Sequence, residues 1–202
     1  MRISKEGWVQ GVRYVQSPNY NSRPSNTAID LLVIHNISLP PGQYGGAEVE
    51  QFFQNKLDCT QHPYFKNLVG LEVSSHFFLR RDGEVVQLVS TLDRAWHAGK
   101  SCFADQPDCN NYSIGIELEG SDNEPYTDAQ YTSLVELTEA LHEYYPNITA
   151  ERIAGHQHIA PGRKTDPGPA FNWERYLSAL SFNQACFSQP TVQPHTGMKK
   201  GK

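Results

Sequence analysis

Residues 31–36 read Leu31-Leu32-Val33-Ile34-His35-Asn36. Four consecutive large apolar side chains make a short continuous run, which suits a strand buried on both faces. The run therefore predicts a central strand of a covered sheet. It predicts that the strand ends at His35-Asn36, a polar pair placed where the chain leaves the sheet. The segment from Pro40-Pro41-Gly42 to Gly45-Gly46 must then be a loop.

Downstream, Val49, Phe52, Phe53 and Leu57 recur at helical spacing and predict a helix over 47–57. Ser74 to Arg81 and Glu84 to Ser90 read as two strands joined at Asp82-Gly83. Tyr112 to Leu118 is a further β-rich run, with Gly115 a place for close approach. Thr127 to Gln130 matches a capping box. Leu134, Leu137, Leu141 and Tyr145 give the helix that follows its apolar face, and it stops near Pro146. Arg152 to Gly155 reads as a short strand ending at His156, and Pro161 to Pro169 as a loop. Phe171 to Leu180 reads as a last helix. Strands mixed with helices predict one α+β or mixed α/β domain, a central mixed β-sheet flanked by helices. The domain is expected over 1–188. The polar tail 189–202 lacks periodicity and is expected to be disordered.

At 202 residues one core can bury most of its apolar surface. Hydrophobic residues make up 38% and charged residues 19%, an ordinary globular balance. A formal net charge of −5 disfavours broad nucleic-acid binding. No stretch approaches the roughly 18 apolar residues of a membrane helix. The N-terminal segment has no apolar core with a small-residue cleavage site, so a cytoplasmic protein is expected. Cys59, Cys102, Cys109 and Cys186 include no C-x-x-C pair, and reduced, buried or half-buried thiols are expected.

Two of the eight histidines stand out by position. His35 and His156 each lie at the end of an expected strand, where sites are usually built. Asp166 follows ten residues after His156, inside Lys164-Thr165-Asp166-Pro167-Gly168. Two histidines and one carboxylate can hold Zn²⁺ while leaving a fourth position open for water. Spacing alone leaves the ordinary alternative of a strand-end histidine and a turn aspartate, and it leaves His158, His76 and His97 as further candidates. Glu117 lies inside the apolar run Ile114 to Leu118. A carboxylate there is costly unless paired or functional, and burial would raise its pKa toward that of a general base. Lys164 lies close enough to Asp166 to offer a cation for an oxyanion.

Eight segments in order also carry a family resemblance. They are Leu32 to Gly42, His62-Pro63-Tyr64-Phe65, Arg80-Arg81-Asp82-Gly83, Arg94 to Gly99, Ser113 to Gly120, Tyr126 to Tyr131, Gly155 to Pro161 and Arg163 to Gly168. The segments run from Leu32 to Gly168, and the resemblance as a whole covers about residues 7 to 180. The chain resembles the AmpD-type N-acetylmuramyl-L-alanine amidases, in a superfamily with phage lysozyme-type amidases and peptidoglycan recognition proteins. The resemblance implies His35, His156 and Asp166 as zinc ligands and Glu117 and Lys164 as catalytic groups. It makes His97 and His158 secondary, and it implies sugar contacts at Asn36 and Trp96 and a stem-peptide contact near Ala160. It implies a muropeptide substrate bearing a 1,6-anhydro sugar, met by a monomer in cytoplasmic recycling. Lysis of intact wall, or muropeptide sensing without catalysis, are the alternatives. Glu72 and Asp108 stand where some members carry arginines, and Gly162 where a glutamate is common.

Overall fold

The apolar run forms the middle of a sheet, and its strand outlasts the residues that announce it. The computed structural model describes residues 1–184. In chain order its strands are β1 (Arg13–Tyr14), β2 (Tyr20–Ser22), β3 (Leu31–Ile37), β4 (Phe77–Leu79), β5 (Val85–Gln87), β6 (Asp93–Ala95), β7 (Cys102–Phe103), β8 (Gln106–Pro107), β9 (Ser113–Glu119) and β10 (Ile153–Gly155). Its α-helices are α1 (Glu48–Phe53), α2 (Asp128–Tyr144), α3 (His156–Ile159), α4 (Trp173–Ala179) and α5 (Ser181–Gln184). The expected boundary at 188, the tail 189–202 and Cys186 lie outside the described residues.

The main sheet runs β1-β5-β4-β9-β3-β10. The β4–β5 pair is antiparallel and the other neighbours are parallel, so the sheet is mixed as expected. Side chains alternate between faces along a strand. Leu32 and Ile34 on β3 join Ile114, Ile116 and Leu118 on β9 in a core shared with Leu134, Leu137 and Leu141 of α2. Leu31 and Val33 pack on the opposite face with Ala98, Tyr112 and Ile159. Both faces are covered, which is why the run is apolar without alternation. Each fully buried side chain of this kind contributes about 1.5–3 kcal/mol relative to exposure. His35 follows Val33 on the second face, and β9 presents Ser113, Gly115 and Glu117 to that face.

The capping box is present as read. The Thr127 hydroxyl accepts from Gln130 N at 3.1 Å, and Gln130 Oε1 accepts from Thr127 N at 3.1 Å. The same hydroxyl donates to Arg81 O at 2.7 Å, tying the start of α2 to the β4–β5 hairpin.

Several bounds differ from those expected. β3 continues through His35, Asn36 and Ile37 because all seven of its residues pair with β9. Polar side chains do not end a strand whose backbone still has a partner. The helix at 47–57 shortens to α1, because Asn55 takes a left-handed φ of 59° just past its end. The hairpin strands shorten to three residues each. The last long helix begins at Trp173 rather than Phe171, capped by Asn172 accepting from Arg175 N at 2.8 Å. Cys102 is exposed, contrary to expectation, because it sits on the two-residue β7–β8 ribbon at the surface. Cys59 is half-buried and Cys109 buried, and all three are unpaired. Among the described residues no helix is long and apolar enough to cross a membrane.

Candidate active site

Sheet register assembles the site. His35 lies opposite Glu117 across β3 and β9, and Gly155 lies opposite Ile34 across β10 and β3. The chain turns into α3 directly after Gly155, so His156 emerges beside His35. Asp166 arrives on a loop folded back onto α3, where Gln157 N donates to Asp166 O at 2.9 Å. That loop is held from the other side by Asn36. Its amide donates to Asp122 Oδ1 at 2.9 Å and to Pro167 O at 3.1 Å. Tyr126 adds a hydrogen bond to Pro167 O at 2.9 Å.

The result is a triangle of donor atoms. His35 Nδ1 lies 3.0 Å from His156 Nδ1 and 3.1 Å from Asp166 Oδ2, and His156 Nδ1 lies 3.0 Å from Asp166 Oδ2. A tetrahedral ion about 2.0–2.1 Å from each donor would hold them about 3.3 Å apart, close to what is found. The tautomer of His156 agrees. Its Nε2 sits 3.0 Å from Ala98 O, which can only accept, so Nε2 carries the proton and Nδ1 turns a lone pair to the triangle. These three residues can hold a metal ion. His158 is turned away: its Nδ1 accepts from Gly155 N at 3.0 Å and its ring leans on Trp173. His76 is engaged elsewhere, with Nδ1 accepting from Gly115 N at 3.0 Å. His97 stands behind His35, with Nδ1 2.9 Å from His35 Nε2.

Charge at the site follows from burial. Burial lowers the His35 pKa to about 4, although its hydrogen bond to Asp166 pulls the other way. Burial pushes the Asp166 carboxyl up, but hydrogen bonds with His156 and His35 outweigh it and hold that group well below the usual carboxylate range. Glu117 is held well above it, by burial first and then by the charge of Asp166, with Lys164 opposing. Glu117 Oε2 is sealed from solvent and has no hydrogen-bond partner among the described residues.

Glu117, His156 and Asp166 line a cleft of about 260 Å³, together with Asn36, Trp96 and Lys164. Phe52, Leu68, Leu71 and Val73 form its apolar side. Lys164 is exposed at the rim and forms no ion pair among the described residues. The Trp96 indole N–H donates to Asn21 Oδ1 at 2.7 Å, which fixes the ring at the wall. Both Asn36 amide hydrogens are engaged inside the protein. Ala160 is buried and does not reach the cleft wall; its carbonyl accepts from Arg163 N and Lys164 N, each at 3.1 Å. Sequence reasoning missed Asp122 and Asn21, which anchor Asn36 and Trp96. Neither lies in a pattern with chemistry of its own, and only the folded loops bring them in.

Residues 25–169 match the N-acetylmuramoyl-L-alanine amidase family. The chain is 52% identical over 176 residues to the 1,6-anhydro-N-acetylmuramyl-L-alanine amidase AmpD of Haemophilus influenzae, covering 87% of this chain and 96% of that protein. It superposes on the crystal structure of a selenomethionine AmpD derivative with a TM-score of 0.87 at 49% identity, covering 90% of this chain and all of that one. A more distant neighbour is AmiD of Escherichia coli, solved in complex with the substrate anhydro-N-acetylmuramic acid-L-Ala-D-γ-Glu-L-Lys. Its TM-score is 0.56 at 26% identity, over 88% of this chain and 65% of that one. With family, fold and cleft in agreement, this chain belongs to the N-acetylmuramoyl-L-alanine amidase family and is a hydrolase acting on an amide bond.

Proposed function

We propose that the protein is a zinc amidase of cell-wall recycling. It cleaves the amide between the lactyl group of 1,6-anhydro-N-acetylmuramic acid and the first L-alanine of a peptidoglycan fragment. One observation carries the chemistry: Glu117, whose buried Oε2 has no hydrogen-bond partner among the described residues, lines the same cleft as His156 and Asp166 of the donor triangle. The names of the relatives support the substrate.

His35 Nδ1, His156 Nδ1 and Asp166 Oδ2 would hold the zinc. When bound, the ion lowers the pKa of a water and polarises the scissile carbonyl. Glu117 accepts the proton of the attacking water, and burial, which raises its pKa, makes its carboxylate a stronger base for that step. The water oxygen bonds to the lactyl carbonyl carbon. The Lys164 ammonium donates to the oxygen that gains charge. Glu117 then returns the proton to the alanine nitrogen as the C–N bond breaks, releasing a lactyl carboxylate and a free peptide amine.

Trp96, pinned through Asn21, offers an aromatic face to the sugar. Asn36 serves mainly by joining the Asp122 and Pro167 segments that carry Asp166. Ala160 serves through its carbonyl, which shapes the turn that aims Lys164. Recycled fragments as substrate favour work in the cytoplasm, and the enzyme is taken to act as a monomer; fractionation and size-exclusion chromatography check the two. The deciding assay incubates purified 1,6-anhydro-muramyl tripeptide with the protein, with chelator, and with zinc restored. Chelator-sensitive release of free tripeptide is expected by mass spectrometry. Intact substrate under zinc-replete conditions overturns the recycling reading, and cleavage of whole sacculi in its place would indicate a wall-lytic enzyme.

A further inference from the structure

β9 presents Ser113, Gly115 and Glu117 to the face that carries His35. Glu117 is the proposed base. The other two serve His97. The Ser113 hydroxyl donates its one proton to Cys109 O at 2.6 Å. Toward His97 Nε2, 3.1 Å away, the hydroxyl can then only accept. His97 therefore carries its proton on Nε2 and turns the Nδ1 lone pair outward. That lone pair faces His35 Nε2 at 2.9 Å, so His35 must donate from Nε2. A neutral His35 then has a bare Nδ1, the atom in the donor triangle.

Gly115 makes room for this arrangement. A Cβ at that position would sit 2.6 Å from His97 Cγ and Nδ1. The His97 backbone is clamped as well. Asn110 Oδ1 accepts from His97 N at 3.1 Å and from Ala98 N at 2.8 Å. His35 and His97 meet edge to face at an interplanar angle of 87°. Every hydrogen-bonding atom of the His97 ring is thus committed in a fixed direction.

We propose that His97 is a positioning residue, held by Ser113 and seated over Gly115, which fixes the Nε2–H tautomer and orientation of His35 so that its Nδ1 is preset for the metal. Its ring also lines the cleft, and the role assigned to it is exerted through His35 Nε2. The assignment rests on the zinc reading above for its function, though the tautomer exists without metal. A histidine ligand whose remote nitrogen is committed in this way binds metal more tightly, by about 10–100-fold.

The test compares His97→Leu with His97→Asn. Leucine keeps bulk without an acceptor, whereas asparagine puts Oδ1 where Nδ1 was. Two quantities are read: the ¹⁵N shifts of His35 in the metal-free protein, and zinc affinity by chelator competition. Wild type is expected to show His35 protonated on Nε2. His97→Leu is expected to mix the tautomers and weaken zinc binding about 10–100-fold, and His97→Asn to recover most of both. Should His97→Leu fail to fold, Ser113→Ala is read in its place, with a smaller change in the same direction expected. Wild-type tautomer and zinc affinity in the leucine variant, or no recovery by asparagine, overturns the assignment. An Nε2–H His35 in a wild type that binds no zinc supports it and sinks the zinc reading alone.

Discussion

His35 and Glu117 are Cα partners across the parallel β3–β9 pair, so a proposed metal ligand and the proposed base are set side by side by backbone register. Both point to the same face, while Ile34 and Ile116 beside them point into the α2 core. A slip of one residue would exchange these faces and bury two polar groups among leucines. The apolar packing that stabilises the sheet therefore also aligns the site.

Glu117→Gln keeps shape and burial but cannot accept a proton. Turnover of the anhydro-muramyl tripeptide is expected to fall about 10²–10⁴-fold, with zinc content unchanged. A near-normal rate would remove Glu117 from the mechanism. The variant should also change stability in a definite direction. Burial raises the Glu117 pKa in the folded state. Below about pH 4 both states are protonated and no difference is expected. As pH rises, the unfolded chain releases this proton and the folded chain holds it, which costs the wild type stability. Metal-free Glu117→Gln should therefore melt higher than wild type at pH 7, and the gap should close near pH 4.

Lys164 sits exposed at the rim of the cleft, so removing its charge should not disturb packing. Lys164→Met keeps the length of the side chain. A fall in kcat of about 10²–10³-fold is expected, from loss of a group that meets charge developing in the transition state. KM should change little. A change confined to KM would make Lys164 a binding residue instead.

The central strand was legible at Leu31 to Ile34 because a sheet covered on both faces needs an unbroken apolar run. The α2 cap was legible because Thr127 and Gln130 satisfy each other locally. What failed were the bounds. The extent of β3 depends on β9, eighty residues away, and the end of α1 on the backbone of Asn55. At the site, position marked His35 and His156, but spacing left His158 open. The folded chain separates the two: His158 Nδ1 is held by the Gly155 N–H, while His156 Nδ1 joins the triangle. The role of Ser113 was hidden because its partners, His97 and Cys109 O, meet it only in the folded chain.

Three histidines bear on acid stability. Burial first of all lowers His35 to about 4, His76 to about 3, and His97 well below its ordinary value. Unfolded, each would take up a proton near pH 6.5. Their folded pKa values are depressed, so this stability is full above pH 6.5 and is lost as pH falls toward 4. If all three act together, the loss reaches about 4 kcal/mol per pH unit at its steepest. Metal-free protein should show a Tm that drops steadily from pH 7 to pH 5, and zinc should shift the drop to lower pH. A flat Tm across that range would mean that these rings are solvated in the metal-free state.

Gly168 tests whether the Asp166 loop is preset or merely tethered. Its φ is +80°, and a Cβ there would fall 2.3 Å from Asp122 Cα and 2.5 Å from Asp122 O. Both obstacles belong to the main chain and cannot swing aside as a flexible side chain would. Gly168→Ala adds a left-handed backbone cost of about 1–2 kcal/mol to that overlap. Relief requires the loop to part from the Asp122 segment, which breaks the Asn36 bridge and draws Asp166 from the triangle. The variant is expected to lose zinc affinity together with kcat, and to melt about 2–4 °C lower for each kcal/mol lost. Alanine at position 162 is the control. Gly162 also has a positive φ, +75°, but open space around its missing Cβ, so it carries the backbone cost alone. If both variants lose zinc equally, general loop strain explains the effect; loss confined to Gly168→Ala locates it in the contact with Asp122.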